Sequence, residues 1–234
     1  MKHSTNNVKL INYLGLDWYE ALKPLIESEY FQKLGKYLRK ERQNYMVYPK
    51  QNKDIFTAFK ITPLNNVRGV ILGQDPYHNG KYDGLCFSNA TSITPAPSLR
   101  NILKEVNNDI YAGKNIERLS DLSLYSWAEQ GLLMINTALT VREHQPDTHT
   151  KVWKRFTLEV INILNKQDNI IWMMWGRHAS SFRDYITNKS HGFIETSHPS
   201  PLGATKGSNP FIGSQCFSKF NIELSARNKR EIIW

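Results

Sequence analysis

Four short apolar runs, set between stretches of helical periodicity, limit what this chain can fold into more than any other feature. They are Val67–Gly73 (VRGVILG), Leu132–Ile135 (LLMI), Ile170–Trp175 (IIWMMW) and Phe193–Thr196 (FIET). Short runs bounded by turn residues and rich in Val, Ile and aromatics read as buried strands. Between them, Ser98 is a good N-cap for a helix with Leu99, Ile102, Leu103 and Val106 on one face. Trp153, Phe156, Val160, Ile163 and Leu164 mark a second helix, and a last one covers about Ser218–Ala226. Upstream, Trp18, Leu22 and Leu25, then Tyr30, Phe31, Leu34 and Leu38, give the first ~60 residues helical spacing. Parallel strands need crossover connections, which helices supply. The expected fold is therefore α/β, with a central four-stranded parallel sheet flanked by helices on both faces.

In such a sheet, ligands bind where the strands end at their carboxyl edge. Here the strand exits deliver Gln74-Asp75, Asn136, Gly176 and His198 in turn. The stretch Leu72–Lys81, LGQDPYHNGK, also sets a carboxylate, an aromatic ring and an imidazole on one short loop. Asp75 has no acidic neighbour in that loop, so a glycosidase using two flanking carboxylates is not indicated. Neither cysteine nor any serine sits in a nucleophile elbow. A metal would have Asp75, His78 and His198 to draw on, but the apolar strand ends add no further carboxylate. What remains is an Asp able to orient water or face a developing positive charge, a neutral His donor, and an amide that can read the edge of a heterocycle. Taken alone, Asp75 reads better as a carboxylate capping a turn before proline, and His198 as a structural histidine.

The 234 residues suit one domain, 1–234, with 1–15 as a loosely ordered N-terminal lead. No stretch approaches the ~20 apolar residues of a membrane helix, and no membrane partner is expected. The start, MKHSTNNVKL, has neither the apolar core of a secretory signal nor the Arg-richness of a transit peptide. Cys86 and Cys216 have no metal-ligand spacing and read as reduced core thiols. A cytoplasmic protein is expected, or one at a nuclear or viral replication site in a eukaryotic host. The net charge of +9 suits a polyanionic partner, although a solubilising surface explains it equally well.

Four segments tip the balance. Gly73-Gln-Asp-Pro-Tyr-His78, Gly84-Leu-Cys-Phe-Ser88, Leu132-Leu-Met-Ile-Asn136 and His198-Pro-Ser-Pro-Leu202 closely resemble the motifs of the main uracil-excising family of uracil-DNA glycosylases (family 1). They come in family order and at similar spacing, and the resemblance runs from about Leu16 to Trp234. It implies a monomeric, monofunctional DNA repair enzyme that needs no metal and no cofactor. Such an enzyme flips deoxyuridine out of single- or double-stranded DNA and hydrolyses its N-glycosidic bond, leaving an abasic site. DNA-mimicking inhibitor proteins target this family.

By the same resemblance, Asp75 and His198 are catalytic, and Gln74, Tyr77, Phe87 and Asn136 form the uracil pocket. Leu202 is the apolar wedge that fills the space of the flipped nucleotide. His78, Pro97, Ser98, Gly176, Arg177, Ser200 and Lys206 fall on DNA-contacting loops. The chain departs from the family pattern in three places. The loop Asn79–Asp83 is a residue short, with Asp83 where His is common. Arg177 replaces a small hydroxyl residue. The stretch Gly203–Pro210 is about three residues long beyond the usual, with Lys206 in place of Arg. An accessory DNA-binding protein on the same fold is the alternative, against which the intact Asp75 and His198 argue. Intact Tyr77 and Asn136 argue against a different base preference.

Overall fold

A computed structural model describes residues 5–90, 92–114 and 122–234. The chain opens with three helices, α1 (Thr5–Leu14), α2 (Leu16–Ile26) and α3 (Glu29–Asn44). From Thr5 onward the expected loose lead is instead helix. Leu10, Ile11 and Leu14 recur at helical spacing and pack on the core, with Leu14 fully buried. Residues 1–4 of that lead lie outside the described part. A short strand β1 (Val47–Tyr48) and helix α4 (Thr57–Ile61) follow.

The remaining elements alternate as expected: β2 (Gly69–Gly73), α5 (Pro97–Tyr111), α6 (Tyr125–Glu129), β3 (Leu132–Asn136), β4 (Val141–Arg142) and α7 (Thr150–Leu164). Then come β5 (Ile171–Trp175), α8 (Arg177–Ser180), β6 (Gly192–Thr196) and α9 (Cys216–Ser225). Strands β2, β3, β5 and β6 form one parallel sheet in the order β3-β2-β5-β6. Every residue of β2, β3 and β5 is buried, so both sheet faces are covered, as a parallel sheet requires. Cys86 and Cys216 are both buried free thiols.

Two local expectations shift. The helix expected from Ser98 starts at Pro97, with Ala96 flanking it and no side-chain cap. Proline is preorganised for the first helical position and needs no N–H there, so Ser98 falls inside the first turn. The antiparallel pair β1 and β4 was not foreseen, because strands of two residues carry no period.

Register levels the strand ends. Gly73 lies opposite Asn136, Ile71 opposite Met173, and Trp175 opposite Thr196. The exits of all four strands therefore open on one edge.

A buried ionic cluster ties α3 to β4 and to His149 just before α7. Glu41 Oε2 accepts from Arg142 Nε at 2.5 Å and its Oε1 accepts from Nη2 at 2.9 Å. His149 Nε2 lies 3.1 Å from Glu41 Oε2, and its Nδ1 lies 2.8 Å from Thr140 Oγ1. Burial holds the His149 imidazole below its ordinary pKa, against the pull of Glu41. The bidentate Arg142 pairing lowers Glu41 to about 2. A carboxylate depressed in the folded state stabilises above its unfolded pKa and loses that contribution as pH falls through the folded value. Glu41→Gln should therefore cost about 2–3 kcal/mol at neutral pH. In urea melts, the gap between parent and variant should close as pH falls from about 5 toward 2. A gap independent of pH would mean that packing, not the ion pair, carries the effect.

Candidate active site

The Gly73–Gln74 peptide is pinned where β2 ends. Gly73 O accepts from Thr137 N at 3.0 Å, and Gln74 O accepts from Ala138 N at 2.9 Å and from Thr137 Oγ1 at 3.0 Å. Asp75 is thus presented on a fixed stem. Its Oδ2 accepts from the main-chain N–H of Asp147 at 2.7 Å. The Asp147 carboxylate in turn accepts from Gln74 Nε2 and from Thr150 Oγ1. Asp75, solitary in its own loop, therefore has a carboxylate neighbour brought from the segment between β4 and α7. Burial raises the Asp75 carboxyl above its ordinary pKa; the Asp147 N–H opposes that shift and the Asp147 charge adds to it.

Asn136, the last residue of β3, is 4% exposed and stands beside Gly73. A Cβ at Gly73 would fall well inside van der Waals contact of Asn136 Oδ1, and 2.7 Å from Cys86 Cβ. The strand end is glycine because the amide fills that space. Phe87 adopts a φ of 64°, a conformation costly for a bulky residue, and lies 5.4 Å from the Trp175 ring and 5.8 Å from the His198 ring. Tyr77 OH donates to Phe87 O at 3.0 Å, so the two aromatic walls brace each other. Burial raises the Tyr77 phenol, keeping it a neutral donor.

Asp83, one of the departures from the family pattern, organises this turn. Its carboxylate accepts from Ser88 Oγ at 2.6 Å and Ala90 N at 2.7 Å, and its carbonyl accepts from Tyr125 OH. Sequence reasoning gave Asp83 no such role. The one available signal was an acidic residue inside an otherwise small and apolar stretch.

His198 follows β6, and Gly176 follows β5. Gly176 has φ 88°, and a Cβ there would lie 2.7 Å from His198 Cβ, so the two exits pack directly on each other. His198 Nδ1 accepts the Ser200 main-chain N–H at 3.0 Å. A nitrogen that accepts carries no proton, which leaves the hydrogen of the neutral ring on Nε2. Burial lowers the His198 pKa, and nearby His178 lowers it further, so the neutral form prevails at pH 7. His178, also missed from sequence, stands 2.6 Å from Thr137 Oγ1. That hydroxyl donates to Gln74 O, so it accepts from His178 Nε2.

The remaining candidates surround this core. His78 turns its buried Nδ1 inward and its ring lies 6.1 Å from that of His144. Pro97 and Ser98 open α5, which is tied to the His198 loop by Asn101 Nδ2 donating to Pro199 O at 2.8 Å. Ser200 O accepts from Gly203 N and Ala204 N at 2.9 and 2.8 Å, closing a compact turn that holds Leu202 81% exposed. Arg177, which opens α8, and Lys206, on the turn after Leu202, are exposed. Among the described residues no three His, Cys, Asp or Glu side chains cluster as a metal site.

A carboxylate, an amide, two aromatic rings and a neutral imidazole thus share one edge of a parallel sheet. The family model described as the uracil DNA glycosylase superfamily matches residues 59–225. The chain belongs to the uracil DNA glycosylase superfamily. Uracil-DNA glycosylase from Bacillus mycoides is 42% identical over 226 residues, covering 95% of this chain and 97% of its own. A Bacillus cereus uracil-DNA glycosylase is 43% identical with the same coverage. Among solved structures, mimivirus uracil-DNA glycosylase superposes with a TM-score of 0.87 at 27% identity, covering 97% of this chain and 88% of that one. A variant of the mimivirus enzyme in complex with UGI also gives 0.87, at 28% identity, covering 97% and 90%. This superfamily member is a DNA repair glycosylase, as the order of its four motifs implied.

Proposed function

We propose that the enzyme hydrolyses the N-glycosidic bond of deoxyuridine with Asp75 and His198 as its reacting groups. The observation that carries this reading is the fixed tautomer of His198, which leaves the proton on Nε2 of a ring 5.8 Å from that of Phe87. As the bond breaks, negative charge gathers on the departing uracil and positive charge on the sugar. A neutral donor aimed at uracil O2 stabilises the first, as a preorganised electrostatic contact. Asp75 faces the second and positions the attacking water.

Selection of the base follows from buried polarity. The Asn136 amide donates to uracil O4 and accepts from N3–H, an edge that cytosine presents reversed. A mismatched edge leaves buried groups unpaired, which can discriminate by ~10⁴-fold or more. Phe87 stacks on the base, Gln74 borders it, and Tyr77 takes the space a thymine methyl would need. Steric exclusion is required there, because an apolar pocket distinguishes one methyl by only ~1–3 kcal/mol.

Leu202, exposed on its closed turn, fills the vacated place in the duplex. His78, Pro97, Ser98, Gly176, Arg177, Ser200 and Lys206 hold the backbone around it. The enzyme acts as a monomer on single- or double-stranded DNA, in the cytoplasm or wherever its host replicates DNA. An inhibitor protein that mimics DNA blocks the same surface, a reading supported by the mimivirus complexes with UGI. The test uses EDTA-treated protein and matched oligonucleotides bearing uracil, thymine or cytosine, followed by alkali. Strand breaks at uracil alone are expected. Breaks at thymine or cytosine would overturn the assignment of Tyr77 or Asn136, and no breaks at uracil would overturn the mechanism.

A further inference from the structure

We propose that Asp147 is a second, non-reacting carboxylate of the active site: its main-chain N–H aims Asp75, and its side-chain charge sets the acidity at which the site shuts down. This rests on the reading of Asp75 as the catalytic carboxylate. The geometry is specific. Asp147 N lies 2.7 Å from Asp75 Oδ2, while its side chain takes hydrogen bonds from Gln74 Nε2 and, at 3.2 Å, from Thr150 Oγ1. A carboxylate only accepts, so Gln74 must turn its NH₂ toward Asp147, and the same contact fixes which end of that amide faces the pocket.

The loop that carries Asp147 is built, not loose. Asp147 has φ 67°, a left-handed conformation that Asp tolerates better than most side chains. Directly after it, Thr148 Oγ1 accepts from Arg142 N and donates to Gln145 O, and His149 joins the buried Glu41 cluster. Asp147 is therefore held against Asp75 through α3, β4 and α7 together.

The charges around Asp75 are few. His78, on its own loop and beside His144, favours ionisation; Asp147, from across the site, opposes it. Behind Asp147 stands His178, which feels the Asp147 charge and in turn disfavours protonation of His198. Removing the charge but not the N–H should let Asp75 stay ionised to lower pH.

The test is kcat/KM on a single-stranded uracil oligonucleotide between pH 4 and 9 for the parent and Asp147→Asn. The variant keeps the main-chain donor and tolerates the left-handed backbone, so the position of its acid limb is read apart from the height of its plateau. Its acid limb should move down by about 0.5–1 pH unit. The same shift should appear in a His178→Asn background, where the imidazole that feels the Asp147 charge and acts on His198 is gone. An unmoved limb, a shift that vanishes in that background, or a plateau loss without a shift would each overturn the proposal. Asp75→Asn separates the two layers: if it stays active, the catalytic reading fails. If it is inactive while Asp147→Asn leaves the limb in place, only the role of Asp147 fails.

Discussion

Asp75→Asn and His198→Leu should each reduce uracil release by about a hundredfold to a thousandfold at pH 7.5, while the folded protein persists. The size comes from what each group meets. One preorganised donor or charge aimed at a developing charge contributes about 10²–10³ in rate, and in the proposed mechanism these two face opposite charges of the same bond cleavage. Stability should move the other way for Asp75. Its pKa is raised by burial, so the ionised form is disfavoured by the fold, and the uncharged amide should melt no lower than the parent. Single-turnover uracil release, measured with thermal melts, checks both halves. Near-normal turnover in both variants would sink the mechanism, and a large fall in melting temperature would make the rate loss uninformative about chemistry.

Gly73→Ala should abolish at least ~99% of kcat/KM on uracil-containing DNA without touching any reacting atom. A β-carbon there collides with Asn136 Oδ1 and comes within 2.7 Å of Cys86 Cβ, and both neighbours are buried, so one of them must give way. The amide must shift by about an ångström, enough to cost ~10² in rate in a preorganised site. Gly69→Ala is the matched control. Its added carbon collides with the Phe220 ring, at the opposite end of the same strand from the site. Overpacking should cost each variant about 1–3 kcal/mol. Below the melting temperature, Gly69→Ala should keep its activity and Gly73→Ala should not. Equal activity in the two would show that the position of Asn136 is not set by Gly73.

Much of this site was legible before the fold. A strand that ends in Gly73-Gln-Asp-Pro-Tyr-His78 announces itself by an apolar run stopping at turn residues, and the same logic located Asn136, Gly176 and His198. Helix starts were less legible. Pro97 took the position that Ser98 was expected to flank, since a proline's fixed backbone competes with a side-chain cap for one turn. Helix α1 was overlooked because Leu10, Ile11 and Leu14 make too short a pattern to stand out against a polar leader. Asp147 and His178 were invisible for another reason. Their partners are other segments of the chain, and no local period records a contact between residues 75 and 147.

By itself, the sequence determined the order of strands and helices, and hence the sheet edge at which its polar residues converge. Hydrophobic periodicity is a local property, and parallel connectivity follows from it through chain geometry. The tertiary structure alone decided the chemistry of the edge. It placed the Ser200 N–H on His198 Nδ1 and so put the imidazole proton on Nε2. It also set a second carboxylate beside Asp75, which the strand exits do not supply. Protonation and orientation depend on which groups come within about 3 Å, and only the folded backbone decides that, for the turn joining His198 to Ser200 as for the distant pair Asp75 and Asp147.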